Sequence, residues 1–367
     1  MNTDMNRPRS LFLPVLEADL VSPTRSRQVL PMSSERRLTK LEDSEDYHDR
    51  AADPMETEEC KVQHPWQLSS FPAGNTVHEL DLEGLVRTNE TLIVNAGYWR
   101  DVWLVRGDDQ FIAKTQRYEH DFTERNLDRH RRDAISMERS SSSPFVLDIY
   151  GFVGGTGLFE FADGGDLAKF LWTKNGKPIR RTPLEKLTVA VQAAQGLAAA
   201  HHVDRDDTAS LAHADLSLGQ YVRVGNVFKL NDFNRARLLR TNRTSGDLCP
   251  FRVANNPGTF RSPEEYNYHP ETEKIDIFSL GNILYCILEQ RRPFEELKSK
   301  HAKKKVRHGK RAKFTADSSV EANVVLMNVT GRCWEHEPEL RPSAIEVAQF
   351  LQDAIERLGG KDAQPIM

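Results

Sequence analysis

The chain has 367 residues, 38% of them hydrophobic and 28% charged, enough for one large domain or two ordinary ones. A formal net charge of −4 excludes a strong general attraction to nucleic acid or to an anionic membrane surface. The four cysteines, Cys60, Cys249, Cys286 and Cys333, lie far apart with no CxxC pair. That spacing argues against a zinc site and a disulfide framework, and it fits a reducing, cytoplasmic or nucleocytoplasmic compartment.

Residues 1–70 read as a disordered tail, rich in Pro, Ser, Arg and acid with no sustained apolar period. Its most apolar piece, Leu11 to Val21, is broken by Pro14, Glu17 and Asp19. It is too interrupted to span a bilayer and makes a poor signal peptide. Hydroxyl residues beside Arg in "SPTRSRQ" and "SSERRLTK" leave open a phosphorylated regulatory arm. From residue 71 the pattern changes. "TLIVNAGYWRDVWLVRGDDQFIAKTQR" predicts three strands separated by turn chemistry at "NAGY" and "RGDDQ". A polar helix is predicted over 121–139, then two further strands in "FVLDIYGFV" and "GLFEFA". After "DGGD" the apolar spacing becomes helical, in "LEKLTVAVQAAQGLAAAHHV", "DIFSLGNILYCILEQ" and "EVAQFLQDAIERL". Strands first and helices after predict an α+β fold of two lobes, 71–162 and 163–360, with a disordered end over 361–367.

Seven short stretches carry the chemistry: "FIAK", "LFEFADGGDL", "HADLSLGQ", "LNDFNRA", "FRSPEE", "IDIFSLGNI" and "CWEHEPELRPS". Singly they say little. In this one order, from about Thr91 to Leu358, they resemble the eukaryotic protein kinase family. Cys333 and Trp334 resemble its tyrosine-kinase-like branches. The resemblance implies a bilobal fold, bound ATP and Mg2+, and transfer of the γ-phosphate to Ser/Thr hydroxyls of a protein substrate. It makes Lys114 the contact to the ATP phosphates. Gly97, Val102, Ala113 and Val222 count among the nucleotide-binding positions, Ala113 because a small side chain lets adenine lie flat. Asp133 falls where a helix carboxylate holds the lysine, with Glu138 as its rival. Phe159 stands at the entrance of a back pocket. The backbone of Glu160 and Ala162 binds the adenine edge, and Asp166 reaches the ribose. Asp215 is the implied base and Ser217 stands in the catalytic loop where Ser/Thr kinases usually carry lysine. Gln220 and Asp232 are the implied magnesium ligands. Asp276 holds the catalytic loop through backbone donors, His213 is structural, Phe233 packs into the core, and Glu264 pairs with Arg341.

The sequence also departs from the family pattern. Aligned on Val102, the glycine-rich loop reads "NAGYWRDV": Gly97 remains, while Asn95 and Arg100 replace the outer glycines. Arg100 adds bulk where backbone N–H groups approach phosphate, but also positive charge; Tyr98 and Trp99 could cap the phosphates. Ala214 replaces the arginine before the base, Gln220 an asparagine, and Asn234 a glycine, the last tolerable because Asn accepts left-handed dihedrals. The segment before "SPEE" is about two residues short of the family's usual spacing. Retention of Lys114, Asp215 and Asp232 favours an active kinase. Asn95, Arg100, Ala214 and Gln220 favour a pseudokinase that binds partners. A cleft plugged by Arg100 and Trp99 would end the first reading. The basic run Leu297 to Phe314 reads as a solvated face, or as a docking patch for acidic substrates or a nuclear import signal. His201 and His202 read as helix-end caps favoured by the dipole.

Overall fold

The computed structural model describes residues 59–74, 91–97, 99–106, 110–121, 123–204, 208–253 and 256–359. The expected tail over 1–58, Tyr98 and the expected disordered end over 361–367 lie outside them. Strand β1 (Cys60–Val62) and a 3-10 turn (Pro65–Leu68) come first. The alternating run from Thr91 then forms β2 (Thr91–Ala96), β3 (Arg100–Val105) and β4 (Phe111–Gln116). Helix α1 (Glu124–Ser140) follows, opened by Thr123, whose hydroxyl accepts from the Asn126 N–H. Strands β5 (Ile149–Val153) and β6 (Thr156–Glu160) complete an antiparallel sheet in the order β2-β3-β4-β6-β5. Although polar on average, α1 lays Ala134, Ile135 and Met137 into the interior.

The helical half begins with α2 (Leu167–Leu171) and α3 (Pro183–His201). Thr182 and Glu185 form a reciprocal capping box at the start of α3, with Pro183 in its first turn. Short strands β7 (Leu211–Ala212), β8 (Tyr221–Val224), β9 (Val227–Leu230), β10 (Arg237–Leu238) and β11 (Arg240–Asn242) follow. The chain ends in α4 (Pro263–Asn267), α5 (Lys274–Glu289), α6 (Ser299–Arg307), α7 (Glu321–Cys333) and α8 (Ala344–Gly359). Helix α5 is buried on all sides from Ile275 to Leu288, as a helix apolar around its whole circumference should be. Gly196 of α3 lets that helix approach the loop before β5: a Cβ there would lie 2.7 Å from the Phe145 carbonyl.

Two expectations need correction. Residues 59–70 are not tail. Strand β1 pairs antiparallel with β11, Cys60 opposite Asn242, and Trp66 Nε1 donates to Asp204. The Gln67 amide donates to the carbonyls of Ser210 (3.1 Å) and Leu239 (2.9 Å). The segment is ordered by polar side chains meeting backbone carbonyls of the helical half, a signal that carries no apolar period. Second, Cys60 and Cys249 form a disulfide across 189 residues of sequence. Spacing argued against it because neither cysteine has a neighbour in sequence; the β1–β11 pairing brings them together. Cys286 and Cys333 are free and buried.

Candidate active site

Strand geometry decides which residues face the cleft. Val102 pairs with Lys114, Trp103 with Ala113, and Leu104 with Ile112. Since successive side chains alternate faces, Lys114, Val102 and Ile112 share one face and Ala113 lies on the other. Ala113 packs with Val105 and Leu158, away from the Lys114 ammonium, which lies 4.5 Å from the centre of the Phe159 ring. Ala113 therefore cannot lie beneath adenine beside Lys114; Ile112 holds that face. Val102 and Val222 are partly buried against the core that contains Ile112 and Phe159. The Gly97 N–H donates to the Arg100 carbonyl at 2.8 Å, so it closes the β2–β3 turn rather than pointing at phosphate.

The helix carboxylate is Asp133, fully buried, and not Glu138, which accepts instead from the Gly74 N–H. Its partner is not Lys114. Arg100 places one guanidinium nitrogen on Asp133 Oδ2 in a short ion pair and the other on Asp232 Oδ1 at 2.8 Å. Asp133 Oδ1 accepts from the Phe233 N–H at 2.6 Å. Burial opposes the Arg100 charge, but Asp133 and Asp232 outweigh it and raise its pKa. Burial likewise works against the Asp133 charge, and Arg100 and Lys114 outweigh it, so its carboxyl lies below the ordinary range. Lys114 is left with Asn231 Oδ1 at 3.3 Å. Burial first, then the Arg100 charge, lower its pKa, with Asp232 and Asp133 offsetting part of the effect. Trp99 does not enter the cleft: it stacks near His120 and under the Arg129 guanidinium, 4.1 Å from its ring centre. Of the feared plug, Arg100 is present and Trp99 is absent.

Asp276 organises the catalytic loop as expected. Its Oδ2 accepts from the His213 N–H at 2.6 Å and its Oδ1 from the Ala214 N–H at 2.9 Å. Oδ2 also meets His201 Nε2 at 3.0 Å, with both side chains buried. His201 thus sits in the last turn of α3, as expected, and braces Asp276 from within the core, while His202 is the C-cap, its N–H donating to the Ala198 carbonyl. These bonds hold Ala214 at φ 57°, in the left-handed region that costs a non-glycine residue about 1–2 kcal/mol. Asp232 has φ 67°. His213 Nε2 reaches the Asn231 carbonyl at 3.1 Å, and Phe233 is buried against the His213 ring.

Asp215 is covered by Arg261, which makes a short ion pair with Oδ1 and donates to the Ala214 carbonyl at 2.9 Å. Arg235 lies 3.9 Å from the same oxygen. Ser217 is half-buried at the head of a 3-10 turn, Leu218–Gln220. The Gln220 carbonyl accepts from the N–H of Asn231 and from its side-chain amide, each at 2.9 Å. Asn231 thereby couples Lys114 to Gln220.

Along the connecting segment, the Glu160 carboxylate pairs with Lys229 at 2.8 Å and its N–H bonds the Asp148 carbonyl. Among the described residues the Ala162 N–H has no acceptor, as an adenine-edge donor requires. Asp166 Oδ1 is taken up capping α2 through the Lys169 N–H at 2.8 Å, while Oδ2 has no hydrogen-bond partner among the described residues. Glu264 and Arg341 form the expected pair, here bidentate at 2.5 and 2.9 Å and buried. In the basic run, Lys304 and Lys305 are exposed on α6. Lys303 is not part of a free patch: its ammonium donates to the Asn256 carbonyl at 2.9 Å and lies over the Tyr266 ring.

The donor set fits magnesium. Asp232 Oδ1 is committed to Arg100 and to the Asn234 amide, while its Oδ2 has no partner among the described residues. The Gln220 side-chain amide is likewise unpartnered there, and both supply hard oxygen. Sequence reasoning missed Arg261 and Asn231 altogether and gave Arg100 no partner. The available signal was an arginine at a glycine position and another immediately before "SPEE".

Residues 94–351 match the protein tyrosine and serine/threonine kinase family. Serine/threonine-protein kinase VIK of Arabidopsis thaliana is 26% identical over 206 residues, 55% of this chain and 44% of that protein. Human mitogen-activated protein kinase kinase kinase 7 is 26% identical over 211 residues, 56% of this chain and 32% of that protein. Human tyrosine-protein kinase Srms is 29% identical over 189 residues, 51% of this chain and 36% of that protein. The chain thus spans less than half the length of these curated relatives. With the family match covering most of the chain, and with the Glu264–Arg341 pair, the Asp276-braced loop and Lys114 all in place, this chain belongs to the protein tyrosine and serine/threonine kinase family.

Proposed function

We propose that the chain is an ATP- and Mg2+-dependent protein kinase acting on Ser and Thr hydroxyls, with Arg100 covering Asp232 at rest and Arg261 holding Asp215 in position. The observation that carries this reading is the bond from the Phe233 N–H to Asp133 Oδ1 at 2.6 Å. It fastens the segment bearing Asp232 to α1, while Asp276 fixes the loop bearing Asp215. The backbone frame is therefore set; Arg100 stands over Asp232, and Arg261, with Arg235 at 3.9 Å, stands over Asp215. Phosphoryl transfer asks a protein for little beyond such positioning and charge neutralisation.

In this mechanism Lys114 and Arg100 meet the triphosphate, and Asp215 orients the acceptor hydroxyl and takes its proton. Asp232 and Gln220 hold magnesium, which when bound neutralises charge on the phosphates. A rotation of Arg100 from Asp232 to the phosphates exchanges one anion for another. Support for the hydroxyl class comes from the VIK relative, whose name gives Ser/Thr, against Srms, whose name gives Tyr.

A pseudokinase scaffold is the second reading, favoured by the Arg100–Asp232 ion pair itself, since a permanent tethered cation makes magnesium redundant. Thermal shift of the full chain separates the two. A rise in melting temperature with ATP that requires magnesium supports the kinase. No response to any nucleotide supports the scaffold.

A further inference from the structure

We propose that this chain matures in an oxidising compartment and carries an N-linked glycan on Asn242. Two independent features of one small β-patch converge on this. The first is the Cys60–Cys249 disulfide, with Cα atoms 6.1 Å apart. Protein disulfides persist in secretory and extracellular spaces, whereas cytosolic reductants keep such a pair as thiols. The bond replaces the reducing environment expected from cysteine spacing.

The second is Asn242-Arg243-Thr244, an Asn-x-Thr glycan acceptor at the tip of a hairpin. Asn242 ends β11 directly opposite Cys60. The chain then turns and returns alongside: the Asn242 N–H meets the Asp247 carbonyl at 2.9 Å, and the Cys249 N–H meets the Arg240 carbonyl at 2.9 Å. Residues 243–247 are all exposed. Asn242 Oδ1 accepts from the Thr244 N–H at 2.8 Å, which turns the amide nitrogen outward to a 3.3 Å contact with the exposed Glu59 carboxylate. A glycan on that nitrogen would leave the hairpin into solvent and break only this weak contact. Of the two other acceptor sequences, that at Asn89 lies outside the described residues, and that at Asn328 has its Thr330 fully buried within α7.

The disulfide forms as Cys60 and Cys249 lose two protons and two electrons to a disulfide-bearing oxidoreductase, which becomes a dithiol. For the glycan, a C–N bond forms between Asn242 Nδ2 and the anomeric carbon of a polyprenyl-diphosphate-linked oligosaccharide. The anomeric C–O bond breaks, the amide releases one proton, and the polyprenyl diphosphate leaves.

The test uses the full chain expressed from its own gene in its native cells, alkylated with a permeant maleimide before lysis. Peptide mass spectrometry should find Cys60 linked to Cys249, and Asn242 converted to Asp with heavy-oxygen label after amide-cleaving deglycosylation. Asn242→Gln and Thr244→Ala should each migrate faster by one glycan, and Thr244→Ala keeps the test open if the first variant misfolds. Maleimide on Cys60 and Cys249 would overturn the compartment, and a linked pair beside a bare Asn242 would overturn the glycan.

Discussion

The Arg100 guanidinium lies 2.8 Å from Asp232 and also grips Asp133, so one arginine joins an acid of α1 to the acid that follows Asn231. A buried charge stripped of its partner costs about 3–5 kcal/mol. In Arg100→Ala, Lys114 is close enough to turn toward Asp133 and recover part of that, so the expected loss is about 1–3 kcal/mol. The same substitution frees Asp232 but removes the guanidinium that would turn to the phosphates, so ATP binding should depend more steeply on Mg2+: the ratio of affinities with and without the metal should rise about tenfold over wild type, roughly 1.4 kcal/mol. Chemical denaturation and calorimetric titration on one preparation measure both. Stability lost with an unchanged ratio would show that Arg100 does not gate the site.

Arg261 fixes Asp215 and the left-handed Ala214 together. Its removal should loosen the base and not the nucleotide. Arg261→Ala is expected to lower kcat more than tenfold with the KM for ATP within twofold, and Arg261→Lys to restore part of kcat, by the general logic of positioning groups. A rise in peptide phosphorylation in Arg261→Ala would mean that the arginine blocks the acceptor instead.

Asp276 satisfies two backbone N–H groups and His201 from within the core. Asn retains one acceptor oxygen and turns the other into a donor facing donors. Asp276→Asn should cost about 1–3 kcal/mol for the group left unsatisfied and lower kcat with it. A variant of unchanged melting temperature and kcat would remove Asp276 from its bracing role.

Glu271 gives a pH signature. Burial, then the neighbouring Glu265, push its carboxyl up to about 9 from an ordinary 4.5. In the folded chain it stays protonated where the unfolded chain has already released its proton. Its contribution is therefore fully present below about 4.5 and is lost as pH rises toward about 9. Glu271→Gln mimics the protonated form and lacks that slope. The melting temperature of the variant minus that of the wild type should climb between pH 5 and pH 8; a flat difference would place the ionised carboxylate in the folded protein.

The lobes were legible because periodicity and turn residues act locally: the strands around Lys114 and the helices around Gly196 and Asp276 lie where the apolar spacing puts them. Asp276 and the Glu264–Arg341 pair were legible through the resemblance, which fixes order along the chain; it also located Asp133 on its helix but gave it Lys114 as partner where Arg100 stands. Ala113 was misread because adjacency to Lys114 in sequence means opposite faces in a strand. The segment from Cys60 to Leu68 and the partners of Arg100 and Arg261 were not legible. Each depends on contacts between residues far apart in sequence, made by polar groups that leave no periodic trace.

On this reading of the site, Asp232 should support phosphate transfer despite Arg100. The direct measurement is Mg2+-dependent incorporation of labelled γ-phosphate into Ser/Thr and Tyr peptide mixtures by the purified full chain, beside Asp232→Ala. Label is expected on Ser/Thr peptides with wild type and should fall at least a hundredfold in the variant, about 2.7 kcal/mol of transition-state stabilisation. Equal incorporation by both proteins, or none by wild type under conditions where it binds ATP, would contradict it.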